Sequence, residues 1–172
     1  MLLAVVGLYE HDIGNDRKAR LFLKRAIKLK VDRPKAGIVL AKLRFAEAIQ
    51  RPAGKTGKLS AQQVSSILEP LRTPRNFHFN SEAYHSIVET WDKSEGKPDE
   101  HEADEIVKGI EQFPRDIGLL YSFSIVCARC GYISQAAELI DKGLSFTPPG
   151  ENRERIVKLR ATISAALEKS AK

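Results

Sequence analysis

Cysteine is scarce in this chain. Two residues of 172, Cys127 and Cys130, cannot make a disulfide framework, so nothing here demands an oxidising compartment. A membrane-spanning run is missing too. The apolar opening, Leu2–Tyr9, falls far short of the ~20 residues that cross a bilayer. No basic segment precedes it, no small-residue cleavage pattern follows, and Glu10 comes at once, so it reads as a first helix rather than a signal-peptide core. A chain that starts inside a helix without a capping residue is expected to be cut from a longer protein, with any targeting signal upstream. The chain as read is soluble, without membrane insertion, and cytoplasmic if it is complete.

The sites that would carry chemistry are each incomplete. Cys127-Ala-Arg-Cys130 has the spacing of a redox dithiol or half a zinc site, but no second Cys pair and no His-x₃₋₅-His accompanies it. Buried structural thiols are the expectation. Gly54-Lys55-Thr56 has the end of a phosphate-binding loop, yet Ile49 stands where the first Gly belongs, and a helix rather than a strand precedes it. His101-Glu102-Ala103-Asp104-Glu105 begins like a metalloprotease helix, with Glu105 where the second His must be. It reads as a solvated acidic face. His11, His78 and His85 are not spaced to share a metal, and the carboxylates are too scattered to single out an acid/base pair. No catalytic residue, metal or cofactor is assigned.

What remains is an ordinary folded composition, 42% hydrophobic and 29% charged. The formal charge of +6 hides a split. Met1 to Arg75 holds 16 Lys and Arg against 6 Asp and Glu, a net of +10, whereas Asn76 to Lys172 holds 12 against 16, a net of −4. The two halves therefore offer different electrostatic faces to a partner.

Helical periodicity runs throughout. The first apolar face is Leu2-Leu3, Val5-Val6, Tyr9 and Ile13, broken by Gly14-Asn15-Asp16. A helix over Arg17–Lys30 follows, capped by Asn15 or Asp16, with an inward stripe at Ala19, Phe22-Leu23, Ala26-Ile27 and Leu29. Pro34 ends that stretch, and Lys35–Ile49 buries Ile38, Val39, Leu40, Leu43 and Ala46. Residues 50–58 form a surface loop. Ser60 and Gln63 make a capping box for a helix through Leu71, whose last turn Pro70 should fray or kink. After an irregular stretch, Thr73–Asn80, Ser81 caps a helix through Trp91. Pro98 or Asp99 starts the next, which closes at Phe113-Pro114. Apolar helices follow around Leu119–Cys127 and, after Gly131, through Leu144. The last, Asn152–Lys169, carries Ile156, Leu159, Ile163, Ala166 and Leu167 on one face. Seven or eight helices and no sheet are expected.

Shifting the chain by 34 residues overlays Lys142-Gly143-Leu144 on Lys108-Gly109-Ile110, Ala137 on Ala103, and Pro148 on Pro114. That is a helix–turn–helix period. The last unit places Leu120, Phe123-Ser124, Cys127, Gly131, Ala136, Ile140, Gly143 and Pro148 in the pattern. The first supplies Val6-Gly7, Gly14, Ala19, Leu23 and Ala26, with Val31 where Pro is usual, and the third Tyr84, Ile87-Val88, Trp91, Gly109 and Pro114. The second keeps Leu40-Ala41 and departs at the loop. In these residues the chain resembles the tetratricopeptide repeat family.

The resemblance implies an all-α fold: four antiparallel hairpins over 1–150, the second interrupted at 50–58, stacked as a right-handed α-solenoid. A capping helix and tail over 151–172 would cover the last repeat. It also implies close helix approach at Ala136 and Gly143. By position it implies a concave groove carrying Lys35, Lys42 and Phe45, then His85, Glu89 and Asp92, then Tyr121, Ile125 and Arg129. The family's carboxylate clamp is absent, because Ala4 and Leu8 stand at its first-repeat positions. The implied function is a non-catalytic scaffold that binds a protein, a peptide or a neighbouring domain of the same longer chain. One alternative is a helical accessory part of a larger bacterial enzyme or envelope protein. Another is nucleic-acid binding by the basic run Arg17 to Lys30, which lacks interleaved aromatics and reads first as a solvated outer face.

Overall fold

A computed structural model of the chain describes residues 1–53, 57–72 and 80–170. Among these residues it is mainly helical, with no strand. Nine α-helices form: α1 (Leu2–Asp12), α2 (Asp16–Lys28), α3 (Pro34–Gln50), α4 (Ala61–Leu68), α5 (Ser81–Asp92), α6 (Glu100–Ile110), α7 (Ile117–Cys130), α8 (Ile133–Phe146) and α9 (Glu151–Ser170). That is one more than the seven or eight expected, although each of the nine falls on a stretch read as helical in the sequence. The chain divides into two compact units, Met1–Gly96 with α1 to α5 and Lys97–Lys172 with α6 to α9.

In Met1–Gly96 the core is built on α2 and α3. Ala19, Leu23, Ala26 and Ile27 of α2 pack with Ala36, Val39, Leu40 and Leu43 of α3 and with Ala4 and Leu8 of α1. The face of α1 that meets this core differs from the expected one. Ala4, Gly7 and Leu8 are buried, while Leu2, Val5, Tyr9 and Ile13 lie in solvent. The reason is size. A Cβ on Gly7 would stand 2.7 Å from Leu23 Cγ and 3.1 Å from the Leu23 backbone nitrogen. Only the small-residue face of α1 lets α2 come that near.

The end of α2 departs from the periodic reading as well. Lys30 takes φ 53°, and the Val31 amide donates to Ala26 O at 3.1 Å while Lys30 N donates to Ile27 O at 2.8 Å. These two bonds make a Schellman turn. The turn carries Val31 onto the core in place of Leu29, which is left 66% exposed. Pro34 then opens α3 at its first position, where its missing N–H costs nothing. Ala46, expected inside, is exposed; Ala36 and Ala41 are the buried alanines of α3.

Capping settles the remaining boundaries of this unit. Ser60 and Gln63 form the expected capping box, and Gln63 does more. Its Oε1 accepts from the amides of Ala53 and Ser60, and its Nε2 donates to Arg51 O, so it ties both described ends of the 50–58 loop. Gly54–Thr56, the phosphate-loop fragment, lies outside the described residues, as does 73–79. Leu59 is fully buried and bonds the end of α5 through its amide to Lys93 O and its carbonyl to the Glu95 amide. Pro70 does alter its helix: Glu69–Leu71 tighten into a 3₁₀ turn. The cap of α5 is Asn80 rather than Ser81, because the Asn80 carboxamide oxygen accepts the Glu82 amide at 3.0 Å.

In Lys97–Lys172 the core is Leu119, Leu120 and Phe123 of α7 against Ala136, Leu139 and Ile140 of α8, closed by Ile156 and Ile163 of α9. Asp99 and Asp116 cap α6 and α7 by accepting the Glu102 and Leu119 amides. Gly131, at φ 87°, ends α7 in a Schellman turn, with Tyr132 N on Cys127 O and Gly131 N on Ala128 O. Tyr132 then donates its hydroxyl to Pro98 O at 2.8 Å, beneath the Lys97 ammonium 5.2 Å from the ring centroid. Arg160 fastens α9 to α8 by a two-pronged bond to Asp141. Ala136 is fully buried as expected, but Gly143 is not a tight contact: a Cβ there would meet Leu120 at 3.8 Å.

Candidate functional site

The groove residues named from the sequence fall on three helices, two in the first unit and one in the second. On α3, Lys35 and Lys42 are exposed and Phe45 is half-buried. On α5, His85 and Glu89 are exposed and Asp92 is half-buried, with Asp92 on the ammonium of its neighbour Lys93 at 3.0 Å. These helices pack against each other, and Lys42 Nζ donates to Glu82 Oε1 at 2.5 Å. Glu82, His85, Glu89 and Asp92 share one face of α5 by helical spacing. Lys42 thus pairs with α5 while about half of each side chain stays exposed, and Glu82 was missed because it sits beside the expected cap, where an acidic residue reads as a response to the helix dipole.

On α7, Tyr121, Ile125 and Arg129 recur every four residues along one face. Tyr121 is half-buried, Ile125 is 37% exposed and Arg129 is exposed. Beside Tyr121 lies a cleft of about 260 Å³ between α7 and the start of α9. Ile117, Tyr121 and Ile156 give it apolar walls, and Gly118 leaves one side open. A Cβ at Gly118 would meet only Asp116 Oδ1, at 3.8 Å. Asn152 and Arg155 of α9 stand at the rim, both exposed and with no hydrogen bond or ion pair among the described residues. An apolar slot of that size with one free cation beside it fits a single bulky side chain next to a negative charge. Ile117, Gly118, Asn152 and Arg155 were not legible as site residues. A wet face on a terminal helix reads as a cap, and only the packing of α9 beside α7 turns two of its polar residues into a rim.

The thiol pair is governed by burial. Burial, reinforced by Cys130 and Asp104, pushes the Cys127 thiol up to about 12. A nucleophilic cysteine needs the opposite shift. Cys127 is packed in α7, and Cys130 lies one turn on, half-buried. His101 and Glu105 are both largely exposed, 3.9 Å apart along one helix face. Among the described residues no three His, Cys, Asp or Glu side chains are grouped to hold a metal, and no helix is long and apolar enough to cross a membrane. No protein-family model matches the chain, and no curated protein matches it.

Proposed function

We propose that the chain is a non-catalytic scaffold of tetratricopeptide type that holds a segment of a partner protein. The observation that carries this reading is the cleft beside Tyr121, on the helix face where the resemblance puts a ligand groove. The 34-residue self-overlay supports the repeat assignment, as do the glycine-terminated turns after α1 and α7, at Gly14 and Gly131. The partner segment presents a bulky apolar side chain to Ile117, Tyr121 and Ile156, with an acidic residue beside it for Arg155. Desolvated aromatic contacts supply most affinity in such interfaces, and charges at the rim set approach and orientation.

The test is selection from a displayed library of random peptides, followed by titration of the enriched sequences. Enrichment of an apolar–acidic pair is the expected result. Gly118→Leu should fill the cleft and abolish binding while leaving the melting temperature unchanged or higher, since Leu is the better helix former. Tyr121→Ala should weaken binding by ~1–2 kcal/mol or more, as truncated anchors do. If Gly118→Leu binds the selected peptides as tightly as the parent, the cleft is not the site.

A further inference from the structure

The outward face of α2 is strongly basic. Taking 100° per residue, Arg17, Lys18, Lys24, Arg25 and Lys28 all lie within about 60° of Leu21. Each of the five is exposed, and none makes an ion pair or hydrogen bond among the described residues. Arg20, off this face, is the cation of α2 that finds a carboxylate, Glu47 of α3. The opposite side of the helix is locked into the core by Ala19, Leu23, Ala26 and Ile27. The helix is therefore oriented with this face outward. Leu21 stands at the centre of that arc at 58% exposure, and Leu29, the C-cap residue, borders it about 80° away at 66%.

A solvated face has no need of the leucines, and a nucleic-acid surface has little use for them. Duplex phosphates would reward the cations alone, and the face carries no aromatic ring on which a base could stack. A bilayer surface rewards both. Anionic headgroups attract each Lys and Arg, and a leucine at the same level enters the boundary between headgroups and acyl chains. The geometry points to a peripheral membrane contact: α2 lies flat on a leaflet rich in anionic phospholipid, with its cations on the headgroups and Leu21 and Leu29 dipped between them. Its core-facing side stays in the protein, so binding is shallow, reversible and dominated by charge. This surface belongs to the first unit and the Tyr121 cleft to the second.

The experiment is co-sedimentation of the whole chain with vesicles of phosphatidylcholine alone or with about 30% phosphatidylserine added. Binding should require the anionic lipid and should be lost between about 0.1 M and about 0.5 M NaCl as the Debye length shrinks. Lys24→Glu/Lys28→Glu should reduce the partition coefficient at least about tenfold, because each cation near the surface contributes several-fold. The charge-matched control, Lys108→Glu/Lys158→Glu, should not. Leu21→Asn should lower binding at every salt concentration without changing the slope against salt. Equal binding to neutral vesicles, or no binding to anionic ones, overturns the proposal. So does a control variant that falls as far as the α2 variant. A DNA duplex that competes the chain off anionic vesicles at equal charge concentration would make α2 a nucleic-acid surface instead.

Discussion

Two glycines that look alike in the sequence behave differently in the fold. Gly7 and Gly143 both sit inside helices and both occupy a small-residue position of the repeat pattern. A methyl on Gly7 would strike the fully buried Leu23, whose backbone also stands in the way, so Gly7→Ala should cost ~1–3 kcal/mol by overpacking. A methyl on Gly143 meets Leu120 at ordinary contact distance. Gly143→Ala should therefore be neutral or gain up to ~1 kcal/mol from helix propensity. Thermal melts of the two variants check both signs. Cys127 gives a prediction in pH. Its folded-state value near 12 lies above that of an unfolded thiol, so its contribution is fully present below pH about 9 and is lost as pH rises through about 12. Stability should fall with rising pH across that window, and Cys127→Ala should flatten the slope there while leaving the slope below pH about 8 as it was.

Helix ends decide what each element buries. At α2 a Schellman turn is made with Lys30 in the left-handed region, where a glycine would be unstrained. Lys30→Gly should raise stability by ~1 kcal/mol, read from the denaturation midpoint at unchanged slope. A drop would mean that the Lys30 side chain supports the turn in some other way. At α4 the capping glutamine also gathers the loop before it. Gln63→Ala removes its three bonds to Arg51, Ala53 and Ser60 and should cost ~1–2 kcal/mol, with the Ala53 amide losing hydrogen-exchange protection first.

Charge is divided between the two units. Met1–Gly96 holds 17 Lys and Arg against 10 Asp and Glu, a net of +7, and Lys97–Lys172 holds 11 against 12, a net of −1. The surplus gathers on α2, where five like charges share one face without a carboxylate among them. Repulsion on that face is relieved by counterions. Moving from about 0.01 M to about 0.15 M NaCl should raise the melting temperature, and should do so less in Lys24→Glu/Lys28→Glu, where the face is already balanced. Calorimetry at the two salt concentrations reads this directly.

Helix content, the capping box at Ser60, the stop at Gly131 and the effect of Pro70 were all legible in the sequence. Each depends on residues within a few positions of one another, and local backbone chemistry dictates the outcome. The buried sides of α1 and of the end of α2 were not. Apolar residues lie on both sides of α1, so periodicity alone cannot choose between them; the choice falls to Gly7 meeting Leu23 sixteen residues on. Leu29 and Val31 are equally apolar, and the left-handed turn at Lys30 decides which reaches the core. The cleft follows the same logic. Tyr121 could be named from its place on α7, whereas Gly118, Asn152 and Arg155 become its neighbours only when α9 packs beside α7. Local propensity determines the elements; which surfaces meet is settled by steric fit between residues far apart in the chain.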